Sequence, residues 1–591
     1  MNRHTFTAAV IVLMLAGNCP VARSAIEERL DGNLNCRLHV GLTDYVRAGS
    51  MLPIVLNFTN RGEERTIRVE TGPDMRVLRR LRVAAGREIR HCLYVPIGEH
   101  SSVRYCQFYD AETNRSLKKV FFRRSLRRIY PSRTSPRGRP QRTLLGVSIN
   151  TSGSYAVNPG MDAAYELKVD TSGPYALPDD WRGYTGVDLV IADHRLWETP
   201  EFAFGPLIDW MSMGGITFVV DASASEQRRI MAQIEDRAPF CDEHNWQFSG
   251  VKAAGVRAGA GGAVFVEEDW LAKSNSNLLR SIGLQPGLMD SRDEYGRTHS
   301  RRRRPRRSGE VRPRIEEVGN PPFWVVLLSL TAFSVVVGPL GWWYLVARKK
   351  QALLYYVAAP TLCAAVMAVV IVADMMHEGF RPYLSCRAVR FLDQRVKRSI
   401  DIAQFGLYVP FHSRGNLQGA PGELPHFFAF EHRDSDIRIE PTQNKCIYRG
   451  VLPPRQKRWF GRESIGRERR RLYVKEKGGQ LVVENHLGCD LQNVVVAHGG
   501  KRVHFSELAD GEKRAGESVS SLQGEGRGKF RDFSRSTILS NYGTLWRRWS
   551  DAYQRGNAYS AEVADRKGIQ EHVWPRRWRN KGARALIFGI Y

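Results

Sequence analysis

Two long stretches without charge interrupt an otherwise polar chain. No charged residue lies between Glu317 and Arg348, and FWVVLLSLTAFSVVVGPLGWWYLV fills Phe323–Val346. None lies between Lys350 and Asp374, where ALLYYVAAPTLCAAVMAVVIV fills Ala352–Val372. Each run has the roughly 20 apolar residues that a helix needs to cross about 30 Å of hydrocarbon. Trp342, Trp343, Tyr344, Tyr355 and Tyr356 flank the turn Arg348-Lys349-Lys350, as an interfacial belt does. The pattern predicts a two-helix transmembrane hairpin, with spans at 321–347 and 351–373. A shorter apolar run, Ala8–Gly17, follows Arg3 and His4, so residues 1–25 read as a signal peptide cleaved after Ser24.

Elsewhere the alternation is that of strands. Ile54, Leu56 and Phe58 alternate with Val55, Asn57 and Thr59, and Asn60-Arg61-Gly62 supplies a turn before Thr66–Glu70. Short strands at this spacing predict an Ig-like β-sandwich over 26–125. Residues 126–142, rich in Arg and Pro, read as a basic linker. From 143 to 290 the pattern changes. Strands at Leu144–Ile149, Val187–Ala192 and Ile216–Val220 surround a helix that Thr199 caps, Pro200 and Glu201 open, and Gly214-Gly215 stops. Strand, helix, strand with apolar runs on both sides predicts a flavodoxin-like parallel sheet. An Arg-rich tether at 291–320 leads into the hairpin, and 377–591 reads as a mostly β domain with a terminal helix. There Gly499-Gly500 supplies a hairpin turn, and Trp546, Trp549 and Tyr553 form a packing stripe. The expected fold class is multidomain: sandwich, α/β sheet, membrane hairpin and C-terminal β domain.

WRGYTGVDLVIADHRLWETPEFAFGPLIDWMSMGGITFVV, with its W-x-x-x-G-G helix end, and the later AGAGGAVFVEEDW resemble the exported class I glutamine-amidotransferase-like domain of bacterial membrane proteins. VGPLGWWYLVARKK and LVVENHLGCDLQNVVVAHGGKRVHFSELADGE resemble the membrane hairpin and C-terminal β module of the same proteins. The resemblance implies a multi-pass bacterial inner-membrane protein with both soluble parts on the periplasmic side. It also implies envelope partners of the kind found with von Willebrand A domains and AAA-type ATPases.

The chemistry expected of that family is incomplete here. An amidotransferase needs a cysteine on a tight strand-to-helix turn, activated by His and an acid. Asp193-His194 follows one strand and Asp221-Ala222-Ser223-Ala224-Ser225 another, neither with a cysteine. Cys241 and His244 are three apart but follow no strand, so a loop thiol is the simpler reading, as is packing for Ser223 or Ser225. Gly255, Gly259, Gly261 and Gly262 precede a strand rather than opening a helix, which argues against a phosphate loop. His412, His426 and His432 match no zinc pattern. No catalytic, metal or cofactor site is expected. Cys92 and Cys106 flank a hairpin centred on Gly98-Glu99-His100; they are either a disulfide or two buried thiols.

Net charge is +27, from 88 Lys+Arg against 61 Asp+Glu, which attracts anions. Arg301, Arg302, Arg303, Arg304, Arg306 and Arg307 concentrate that charge, as a solvated tether or as a site for anionic lipids or polymers. Export argues against nucleic acid. The expected function is a non-enzymatic, membrane-anchored envelope scaffold or binding module. The alternatives are an envelope hydrolase or amidase using Cys241 or Ser223, and an anion-binding adaptor.

Overall fold

The structure, a computed structural model, describes residues 26–122, 127–149, 165–267, 383–516, 543–564 and 579–591 with short breaks, and 323–372 in part. The protein is mostly β. A four-stranded antiparallel sheet orders Ile26–Asp31, Leu34–Val40, Met51–Asn60 and Glu88–Pro96. It packs on a seven-stranded sheet in which Arg76–Val83, Arg65–Pro73, Val103–Asp110 and Ser116–Phe121 are neighbours. Alternation explains the packing: Ile54, Leu56 and Phe58 are buried in the same core as Val69, Cys106 and Phe108, and Phe58 meets Phe108 edge-to-face at 6.2 Å.

Three features correct the expected fold class. The N-terminal sandwich is not closed on itself. Strand Arg438–Pro441 runs parallel beside Arg76–Val83, and Cys446–Arg449 and Leu417–Gly419 extend the sheet further. The exposed edge that a free sandwich must protect is thereby covered by chain from the C-terminal part. The sheet expected to be flavodoxin-like is mixed. Leu189–Asp193 lies parallel between Pro140–Ile149 and Ile216–Val220, and Gly261–Val266 is parallel to Ile216–Val220. Val251–Ala258 and Asp242–Phe248 then run antiparallel. The reason is local: Gly259, at φ 56°, lets the chain reverse in a tight hairpin where a crossover helix was expected. Lastly, among the described residues no helix is long and apolar enough to cross a membrane. The first apolar run gives an α-helix of 13 residues, Phe323–Val335, which rises only about 20 Å. It then passes into a π-helical turn, Val336–Leu340, that contains Pro339. The inner-membrane, multi-pass placement is withdrawn on this ground.

A nine-stranded sheet completes the architecture. Its centre pairs Tyr383–Asp393 antiparallel to Arg398–Tyr408 and parallel to the last strand, Arg584–Ile590. The helix Gly543–Gln554 lies on it. Trp549 stacks on Trp546 at 4.7 Å and on Tyr553 at 5.1 Å, meets Phe588 at 4.9 Å, and donates Nε1–H to Tyr559 O at 2.9 Å. A single apolar cluster joins this layer to the mixed sheet, with Phe391, Phe588 and Trp549 against Phe240 and Trp210. The signal peptide, the Arg-rich tether with Arg301–Arg307, His412 and His432 lie outside the described residues.

Candidate functional site

Parallel strands present their carboxyl ends to ligands, so the loops after Leu189–Asp193 and Ile216–Val220 are the first place to look. After the first strand, Asp193 caps a 3-10 turn by accepting from Arg195 N–H at 2.9 Å. His194 follows, 19% exposed. Its Nδ1 lies 3.1 Å from Asp193 Oδ1 without hydrogen-bond alignment, and its Nε2 lies 3.4 Å from Glu226 Oε1. After the second strand, Asp221 turns the chain at φ 53° and Ser223 becomes the N-cap of helix Ala224–Arg237. Ser223 Oγ accepts from Glu226 N–H at 3.4 Å, and Glu226 Oε2 accepts from Ser223 N–H at 2.7 Å, which completes a capping box. The bonds to Ser223 hold the Glu226 carboxyl below its ordinary range.

The structure therefore brings His194, Ser223, Ser225 and Glu226 to one edge, but not into a relay. Ser223 Oγ pairs with Ser225 Oγ at 3.1 Å, and among the described residues no hydrogen bond joins either serine to His194. The imidazole faces two carboxylates, so neither ring nitrogen is set to take a serine proton.

Cys241 and His244 do not meet. They lie three residues apart at the start of an extended strand, and so face opposite ways. His244 Nε2 contacts Arg257 Nη2 at 2.6 Å, and its ring meets Trp246 edge-on at 5.2 Å. Burial pushes the Cys241 thiol up to about 12, the opposite of an activated nucleophile. Cys92 and Cys106 also part company, because one lies in the four-stranded sheet opposite Val55 and the other in the seven-stranded sheet opposite Thr71. Both are buried free thiols, each pushed by burial up to about 12.

The glycine-rich segment has a packing purpose. A Cβ on Gly261 would come 2.0 Å from Gly215 O, and one on Gly262 would come 2.3 Å from Val256 O. The W-x-x-x-G-G sequence belongs to the same unit. Gly214 has φ 114°, and a Cβ on Gly215 would come 2.2 Å from the Trp210 ring. Thr199 does not cap the helix it precedes; its Oγ1 donates to Leu196 O, and Pro200 holds the cap position. Among the described residues no group of three His, Cys, Asp or Glu side chains is placed to hold a metal ion.

The most heavily committed charges lie instead at the seam between the mixed sheet and the nine-stranded sheet. Asp393, 0% exposed, accepts from Phe240 N–H at 2.8 Å and from Arg395 N–H, Nε and Nη2 at 3.1, 3.0 and 2.8 Å. Arg548, 8% exposed, donates to Phe240 O and pairs with Asp242 at 3.1 Å. Burial lowers its guanidinium to about 10. Phe240 itself sits at φ 54°, with its ring edge-on to Phe391 at 6.1 Å. Nearby, Asp209 pairs with Arg237 at 2.8 Å and with Arg398 from the other side of the seam. Arg182 grips Asp180 with two bonds, at 2.9 and 3.1 Å, and donates to Glu423 O at 3.3 Å. Glu423, 2% exposed, pairs with Arg462 at 3.0 Å, and burial raises its carboxyl. Sequence reasoning missed this set. The available signal was charge inside apolar strands, as in Phe391-Leu392-Asp393.

No family model matches the chain, and no curated protein does. Among solved structures, the yeast delta-COP-I mu-homology domain complexed with the Dsl1 WxWxV peptide is similar at 10% identity. That match covers 35% of this chain and 96% of that chain, with a TM-score of 0.17, too low to carry an argument.

Proposed function

We propose that the chain is a non-enzymatic scaffold and binding protein. One observation carries the reading. At the carboxyl edge of the parallel strands, Ser223 is engaged as a helix cap with Glu226, and His194 is turned toward two carboxylates. Cys241, the other nucleophile the sequence offers, is held far above the range of a reactive thiol. The test is intact-protein mass spectrometry after treatment with a fluorophosphonate and with iodoacetamide. The expected result is no fluorophosphonate adduct. At pH 8, Cys241 should alkylate roughly a thousandfold more slowly than a free cysteine, in proportion to its thiolate fraction. An adduct on Ser223 or Ser225 that His194→Ala abolishes overturns the reading.

A hydrolase is the second reading. It is favoured by the closeness of His194, Glu226 and the Ser223–Ser225 pair on one strand edge. It requires His194 to leave Glu226 when substrate arrives, and the same adduct would support it.

A further inference from the structure

The outer face of the seven-stranded sheet gathers exposed cations around three aromatic rings. Strand pairing sets Arg438 opposite both Arg449 and Arg76, one basic row across three strands. Beyond the turn that follows Pro73, Gly72 pairs with Tyr105 and Tyr105 with Phe121. Parallel to that row, Arg68 stands between Arg80 and Tyr109. The intervening residues Val69, Leu81, Phe108 and Val120 are buried in the sandwich, so alternation turns this set outward.

The rings are not equally available. The Arg68 guanidinium lies 4.2 Å over Tyr109, and Lys119 Nζ lies 3.8 Å over Tyr105. Phe121 is 59% exposed. Gly72 is required beneath Tyr105, because a Cβ there would come 2.5 Å from the phenol oxygen. Two carboxylates temper the positive charge: Glu70 lies 3.6 Å from Arg76, and Glu440 lies 2.8 Å from Arg449. Among the described residues Arg80 and Arg438 have no ion pair.

We propose that this face binds a linear acidic polysaccharide, a chain of carboxylated or sulfated sugars. Neighbouring strands lie about 4.8 Å apart, close to the length of one pyranose unit, so cations on successive strands meet successive acidic groups. The C–H face of a sugar packs on Phe121, whose ring carries negative charge on its face. Single-stranded nucleic acid fits less well. It relies on successive open rings for base stacking, and here cations already cover Tyr105 and Tyr109. The proposal rests on the reading of the chain as a binding protein, but its test involves no catalytic readout, so the two fail separately.

The test is a titration of the full chain with fluorescent heparin oligosaccharide and with polygalacturonate, against a single-stranded DNA of equal length. Arg76→Glu/Arg438→Glu/Arg449→Glu should bind either polysaccharide at least about tenfold more weakly. Lys475→Glu/Lys477→Glu/Lys513→Glu, an equal charge change on the separate three-stranded sheet, should change binding less than about threefold. Phe121→Ala should weaken binding without altering its salt dependence, which serves if the triple variant loses its fold. Equal losses in both triple variants overturn the proposal. So does tighter binding of the DNA than of both polysaccharides, or a Phe121→Ala chain that binds as the unsubstituted one does.

Discussion

The seam and the outer face of the seven-stranded sheet are both rich in arginine, and they treat it differently. At the seam Asp393, Arg548, Asp209 and Arg398 are buried, and each is bonded across the boundary between two sheets. On the outer face Arg80 and Arg438 stand in solvent. A buried charge must be fully paired, and its geometry then becomes part of the fold. An exposed charge costs little to leave open and can be offered to a partner. The difference teaches that shifted pKa values in this molecule mark where its layers are joined. Perturbed groups often mark active sites, and here that rule misleads.

The sharpest way to break the comparison is at Asp393. Asp393→Ala leaves Arg395 and the Phe240 N–H without their partner, and should cost about 3–5 kcal/mol in urea denaturation. A loss below about 1 kcal/mol would place Asp393 among the ordinary surface charges. Next is Ser223→Ala, which removes a helix cap and should cost about 1 kcal/mol, while Ser223→Asp, still able to cap, should cost less. If alanine and aspartate behave alike, the cap does not explain Ser223. The smallest effect is at Glu423. Its carboxyl is raised by burial, so the folded state holds that proton more tightly than the unfolded state does. This contribution is fully present below the ordinary glutamate value of 4.5 and is lost as pH rises through the raised value. Glu423→Gln should flatten the fall in stability over that window, as measured by denaturation midpoints from pH 4 upward.

Local structure was legible in the sequence where it depended on neighbours. Ile216–Val220 forms the strand that its apolar run predicts, and Gly214 ends the preceding helix at φ 114°. Gly499 and Gly500 turn the hairpin as expected, both with positive φ. Partnerships between distant segments were not legible. Nothing near Arg438 in sequence says that its strand will lie beside Arg76, 362 residues earlier. The apolar run from Phe323 reads as a span by composition, yet its α-helix stops at Val335 before the turn holding Pro339. At the candidate edge, the sequence gives Ser223 and Glu226 at capping-box spacing. Attention to catalytic motifs drew the eye to Ser223 as a nucleophile, and the cap was overlooked.

Differential scanning calorimetry of the whole chain, followed together by tryptophan fluorescence, tests most directly whether the buried seam charges make one body of the mixed and nine-stranded sheets. The account predicts coincident transitions that Asp393→Ala moves down together. Two resolved transitions, only one of them shifted by that substitution, would contradict it.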